Sequence, residues 1–211
     1  MLPSKTDPKP REDREMDYHR YQLHLWKPRR DKTCLLVIDM QNYFLDLARP
    51  ILPNVRKLLD LFRRRNWPVV FTAHTHRDLE KDGGLLVQWW GKASMEVFTP
   101  GRWEHRIIRE IEPQDGEETI NTKTRYSAFY KTDLEEHLRR LGVTDLIICG
   151  VMTNYCCETT ARDGFNRDFR IFFLVDATTT DDPYLHQATL CNLASGFATI
   201  YTTQEIVDLL E

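Results

Sequence analysis

Cys156 follows the apolar run Leu146 to Cys149, a glycine at 150 and a short polar turn. It precedes a segment in which Cys157, Thr160, Ala161 and Phe165 recur at helical spacing. The pattern reads as buried strand, tight turn and helix. With Thr153 or Asn154 as N-cap, Cys156 falls in the first helical turn, where backbone N–H groups lack intrahelical partners. The helix dipole and those N–H groups favour thiolate over thiol and offer a seat for an oxyanion. Cys157 shares a face with Thr160, Ala161 and Phe165 and reads as packing. Taken alone, a cysteine at such a turn is more often a small buried hydrophobe, so its company has to decide.

Two ionisable residues stand in comparable places. Asp39 ends the apolar run Thr33 to Ile38, and Lys123 follows a short strand read over Glu118 to Asn121. A carboxylate, an ammonium and a thiol brought together divide the work of acyl transfer into proton carrier, positive charge and nucleophile. The structural alternative is an Asp–Lys ion pair beside a buried cysteine.

The elements that must position these groups alternate along the chain. Leu52, Val55, Leu58, Leu59 and Phe62 mark an amphipathic helix, with Arg63, Arg64 and Arg65 near its C-terminus, where positive charge is favourable. Val69 to Ala73 is a strand that runs into His74-Thr75-His76-Arg77-Asp78. Two histidines at i and i+2 both ligate a metal only if the chain bends, and no third ligand has a recognisable spacing, so they read as pocket-lining residues. Residues 82–114 show no clear periodicity but contain Trp89, Trp90, Phe98 and Trp103. This excursion is either a lid or pocket wall, or a loop that packs its tryptophans on the core. Thr132 to Glu135 and Thr202 to Glu205 read as capping boxes that open helices, and Gly142 is placed to end the first. Arg170 to Val175 and Ala198 to Tyr201 read as strands, and Tyr184 to Ala194 as helix.

Strands alternating with helices imply an α/β fold with a parallel sheet covered on both faces. In such folds reactive groups gather beyond the strands' C-terminal ends, where strand order reverses. No G-x-G-x-x-G follows the first strand, which disfavours a Rossmann dinucleotide enzyme.

With 211 residues, 41% hydrophobic and 29% charged, the chain has the composition of one soluble domain with a sizeable core. A net charge of −3 points to neither nucleic acid nor an anionic membrane. No apolar run approaches the roughly 18 residues of a membrane span, and the N-terminus lacks a signal-peptide core. A cytoplasmic location with reduced thiols is therefore expected, and the odd count of five cysteines fits it. Residues 1–30 read as an N-terminal arm and 31–211 as the domain. Tyr18, Tyr21, Leu23, Leu25 and Trp26 give the arm apolar surface to dock on a neighbouring subunit or on its own domain.

Asp39 within Val37-Ile38-Asp39-Met40-Gln41, Lys123 within Lys123-Thr124-Arg125-Tyr126-Ser127-Ala128-Phe129, and Cys156 within Gly150-Val151-Met152-Thr153-Asn154-Tyr155-Cys156 resemble the motifs of the isochorismatase-like cysteine hydrolases. The resemblance runs from about Thr33 to the C-terminus. It implies a three-layer fold with a six-stranded, mostly parallel sheet in order 3-2-1-4-5-6. It implies catalytic roles for Asp39, Lys123 and Cys156, a cis peptide at Val151–Met152, and an oxyanion hole from the N–H groups of Met152 and Cys156. Metal-binding nicotinamidase relatives carry Asp-x-His after the second strand, but Thr72 stands in the Asp position here, which disfavours both a metal and nicotinamide. Isochorismatases that cleave a vinyl ether lack a cysteine at the position of Cys156, which favours amide or ureide cleavage. The segment from Cys156 to Asp163 resembles most the amidohydrolase branch, with its N-carbamoylsarcosine, biuret and ureidoacrylate hydrolases.

The expected activity needs no cofactor. By position, Asn42, Phe44, His76, Trp89, Tyr126 and Phe129 are candidates for substrate contact, and Arg77 or Arg125 for pairing with a substrate carboxylate. A homodimer or homotetramer is the family expectation.

Overall fold

Short runs rich in Val, Ile, Leu and Phe form one sheet in the computed structural model, which describes residues 16–211. The first fifteen residues of the expected arm lie outside the described residues. The strands are β1 (Thr33–Ile38), β2 (Val69–His74), β3 (Glu118–Lys123), β4 (Asp145–Val151), β5 (Arg170–Thr179) and β6 (Ala198–Tyr201). Their order is β3-β2-β1-β4-β5-β6, and every pairing is parallel.

The helices are α1 (Leu45–Ala48), α2 (Leu52–Arg64), α3 (Leu79–Asp82), α4 (Gly84–Trp90), α5 (Lys92–Glu96), α6 (Leu134–Arg140), α7 (Glu158–Phe165), α8 (Pro183–Gly196) and α9 (Thr203–Leu210). No helix among the described residues is long and apolar enough to cross a membrane.

Alternation along each strand sorts the core into two layers. Leu35 and Val37 of β1 and Ile147 and Cys149 of β4 pack with Val55, Leu58 and Phe62 of α2 and Ile206 of α9. Cys34, Leu36 and Ile38 point to the other face, onto Leu134 and Leu138 of α6, Ala161 of α7 and Leu190 of α8.

Strand β1 meets β4 in register from Thr33↔Asp145 to Ile38↔Gly150, so the two central strands end together. Gly150 is needed there. Its φ is 119°, and a Cβ on it would stand 2.1 Å from the carbonyl oxygen of Ile38.

The capping box expected at Thr202 is present: Glu205 N–H donates to Thr202 Oγ1 at 3.2 Å and Thr202 N–H to Glu205 Oε2 at 2.7 Å. The one expected at Thr132 is not. Its hydroxyl donates to Ala128 O at 2.5 Å, leaving Asp133 at the N-cap without a side-chain bond. The same hydroxyl also accepts Leu134 N–H, at 3.4 Å, from one residue outside the cap.

The described part of the arm lies along β6 of its own domain. Gln22 bonds the Ile200 backbone with both ends of its amide, at 2.8 and 3.3 Å, and so plays the part of a neighbouring strand on the open sheet edge. Tyr201 Oη donates to Trp26 O at 2.8 Å, while Leu23 and Leu25 remain exposed.

Candidate active site

Where β1, β2, β3 and β4 end, their polar termini converge. Lys123 is fully buried, and its Nζ donates to Asp39 Oδ2 at 2.5 Å and to Cys156 Sγ at 3.3 Å. Asp39 is fully buried too, at φ 47°, and its Oδ1 accepts the Thr72 hydroxyl at 2.6 Å. Thr72 thus holds one carboxylate oxygen and the lysine the other. Gln41 joins the ends of β1 and β2, accepting from His74 N–H at 2.9 Å and donating to His74 O at 3.1 Å.

Cys156 reaches this cluster by a different local structure from the capped helix that its sequence suggests. Thr153–Cys157 form a π-helical turn, with Met152 at its N-cap and no side-chain cap. Thr153 Oγ1 pairs instead with His186 Nδ1 at 2.9 Å, and the Asn154 side chain receives the Thr180 hydroxyl at 2.7 Å. The peptide Val151–Met152 is cis.

The electrostatics also differ from the helix-dipole argument. Burial pushes the Cys156 thiol up, against the pull of Lys123, so the resting group is a thiol. Burial alone would favour neutral Lys123, but the charge of Asp39, with the hydrogen bonds to Asp39 and Cys156, outweighs it and raises its pKa above the ordinary lysine value.

A cavity of about 250 Å³ opens over these groups, smaller than the roughly 300–1,000 Å³ of drug-sized sites. Asp39, His74, Met152 and Cys156 form its floor. Its wall is aromatic: Phe44, Trp90, Phe98, Tyr126 and Tyr155 line it. Trp90 Nε1 donates to Tyr126 Oη at 2.7 Å, and Tyr126 stacks on Tyr155 with 5.3 Å between ring centroids. Asp181 is a second carboxylate on the lining, and no arginine among the described residues joins it.

Of the residues expected at the substrate, Phe44 and Tyr126 line this cavity. The other four do not. Asn42 turns outward to donate to Trp103 O at 3.0 Å. His76 is fully buried behind His74, with their Nε2 atoms 3.0 Å apart. Phe129 stacks on Phe169 in the core. Trp89 is 81% exposed, and its neighbour Trp90 takes the place at the cavity. The excursion does build a cavity wall, but with Leu86, Trp90, Met95 and Phe98. Arg77 and Arg125 do not line the cavity either; Arg125 is spent on the backbone oxygens of Asp82 and Thr124, both at 2.6 Å.

A metal fits the floor poorly. Asp39, His74 and Cys156 offer donor atoms within 4.8 Å of one another. Lys123 Nζ already stands among all three, at 2.5 Å from Asp39 Oδ2, 3.4 Å from His74 Nδ1 and 3.3 Å from Cys156 Sγ. An ammonium in hydrogen-bond contact with each donor repels a second cation. The Thr72 hydroxyl, engaged with Asp39, supplies no anionic ligand in compensation.

Comparison with known proteins places this geometry in a family. The model of the isochorismatase domain matches residues 33–205. Nicotinamidase 3 of Arabidopsis thaliana is 46% identical over 85% of this chain and 89% of its own length. The isochorismatase of Bacillus subtilis is 35% identical over 88% of this chain, which spans 60% of that protein. A crystal structure of a cysteine hydrolase from Pseudomonas syringae pv. phaseolicola superposes with a TM-score of 0.83 at 27% identity, over 88% of this chain and 95% of that one. The match over most of the chain, with the sheet order 3-2-1-4-5-6, shows that this chain belongs to the isochorismatase domain family.

Proposed function

We propose that this protein is a cysteine-dependent amidohydrolase that cleaves a C–N bond in a small, planar, uncharged amide or ureide. The observation that carries the reading is Lys123 bonded to both Asp39 and Cys156 on the floor of a small aromatic cavity. Cys156 Sγ attacks the amide carbonyl carbon as its proton passes to Asp39. The oxyanion forms beside the backbone N–H groups of Met152 and Cys156. Its collapse breaks the C–N bond, and Asp39 returns the proton to the departing nitrogen. Water then attacks the thioester, again giving a proton to Asp39, and the acid leaves as the thiol is restored.

The raised thiol pKa makes the first proton transfer part of the attack rather than a step before it. Lys123 stays charged throughout and stabilises the sulfur anion as it develops.

The wall supports the substrate class. Stacked aromatic rings suit a flat ring or a ureide plane, whereas Asp181 and the lack of a lining arginine disfavour a substrate carboxylate. The nicotinamidase named above brings a heteroaromatic amide back among the candidates that Thr72 disfavours on sequence. The test is ammonia release by metal-stripped protein from nicotinamide, biuret and a carboxylate-bearing ureide, with Cys156→Ala as control. Release that requires Cys156 is expected from the uncharged compounds. Ammonia release retained in the variant sinks the cysteine mechanism, whereas no release from any of the three compounds leaves the vinyl-ether chemistry of an isochorismatase as the alternative.

A further inference from the structure

Behind the floor, a chain of hydrogen bonds runs from Lys123 towards the surface. Lys123 Nζ lies 3.4 Å from His74 Nδ1, His74 Nε2 lies 3.0 Å from His76 Nε2, and His76 Nδ1 lies 2.7 Å from Asp82 Oδ1. Asp82 Oδ2 accepts the backbone N–H groups of Arg77 and Asp78, at 2.7 and 3.1 Å.

Protonation states follow from one end. Burial works against the charge of Asp82, but the N–H donors of Asp78, His76 and Arg77 outweigh it, so Asp82 is a carboxylate. Burial keeps both imidazoles neutral, and the charge of Lys123 adds to this at His74. Each ring therefore carries one proton. His76 must place its proton on Nδ1 to meet Asp82, which leaves Nε2 as an acceptor. His74 must then place its proton on Nε2, and this leaves Nδ1 bare toward Lys123. The ammonium thus finds three acceptors for three protons: Asp39 from β1, His74 from β2 and Cys156 from the π-turn.

We propose that Asp82, His76 and His74 are positioning residues that lock the His74 tautomer and through it hold Lys123 charged and aimed at Cys156. The proposal rests on Lys123 serving the hydrolase reading above. With the opposite tautomer, His74 would present an N–H to the ammonium. Asp82 ends α3, immediately before Gly83, Gly84 and the helix that carries Leu86 and Trp90 to the cavity. The relay therefore also ties the seat of the aromatic wall to the charge on the floor.

Two measurements that need no substrate test this. Side-chain 1H–15N correlation spectra of the full chain should show His74 protonated only at Nε2 and His76 only at Nδ1; either ring in the other tautomer, or doubly protonated at neutral pH, overturns the relay. Alkylation of Cys156 by iodoacetamide, followed by mass across a pH series, reads the charge beside the sulfur. His76→Leu should slow it about tenfold near pH 8 and move its profile to higher pH. His76→Gln, whose Oε1 can accept from His74 Nε2, should restore most of the rate.

An unchanged rate in His76→Leu, or a loss that His76→Gln does not restore, overturns the proposal. If His76→Leu fails to fold, Asp82→Ala takes its place in the alkylation series. If the hydrolase reading itself fails, ammonia release is absent while the tautomers and the alkylation profile still report on the relay.

Discussion

The floor of the cavity is made of strand ends and its wall of short helices, and the two hold their side chains differently. On the floor, Asp39 and Lys123 have no exposure, and each is bonded on more than one side. The wall segment α4 runs between Gly84, at φ 53°, and Gly91, at φ 85°, and it leaves Leu85 and Trp89 largely in solvent. On the proposed reading, chemistry that needs fixed atoms falls where backbone ladders and burial fix them, and shape selection falls on a segment with fewer restraints. Changes to the floor should therefore cost activity, and stability as well where they leave a buried charge without its partner, whereas changes to the wall should cost substrate affinity alone.

The hardest test of that division is Cys156→Ala. Turnover should fall about 10⁴-fold or more, to background, while the urea midpoint stays close to that of the parent. Ammonia release and chemical denaturation read the two effects separately.

Lys123→Met should lose both properties. Removing one partner of a buried pair leaves Asp39 charged and uncompensated, at a cost of about 3–5 kcal/mol in unfolding free energy along with the activity.

Alkaline pH should weaken the fold through the same buried layer. Cys34, Cys149, Cys156 and Cys157 have pKa values raised by burial above the ordinary 9.0. The folded state keeps those protons after the unfolded chain has lost them. Stability is therefore fully present below 9.0 and declines above it, by up to about 1.4 kcal/mol per pH unit for each thiol. Urea midpoints measured from neutral to alkaline pH check the onset, and a midpoint that rises through this window contradicts it.

The smallest effects separate the two tryptophans. Trp90→Ala removes a cavity ring and the partner of Tyr126, and should raise KM about tenfold with kcat little changed. Trp89→Ala should alter neither KM nor, beyond about 0.5 kcal/mol, stability. A reversed pair of results would place the wall helix in a different rotation.

What the chain's order of residues determined by itself is the floor and the frame that carries it. Apolar runs that stop at Asp39 and Gly150, and the strand that leads into Lys123, are local signals, because a change from apolar to polar residues or glycine marks where a strand gives way to a turn. Parallel strands then bring those ends together whatever the loops do. Other features depended on where elements seat against one another.

Leu86 and Trp90 form one stripe of α4 and Leu85 and Trp89 another, each four residues apart and equally apolar. Helical spacing alone has no means of choosing between them, and the seat of α4 on the cavity did. Phe129 went to the core, Thr72 turned its hydroxyl to Asp39, and His76 withdrew behind His74 for the same reason. A side chain's partner from another element has no trace in the residues beside it. Only the packed structure decides who that partner is.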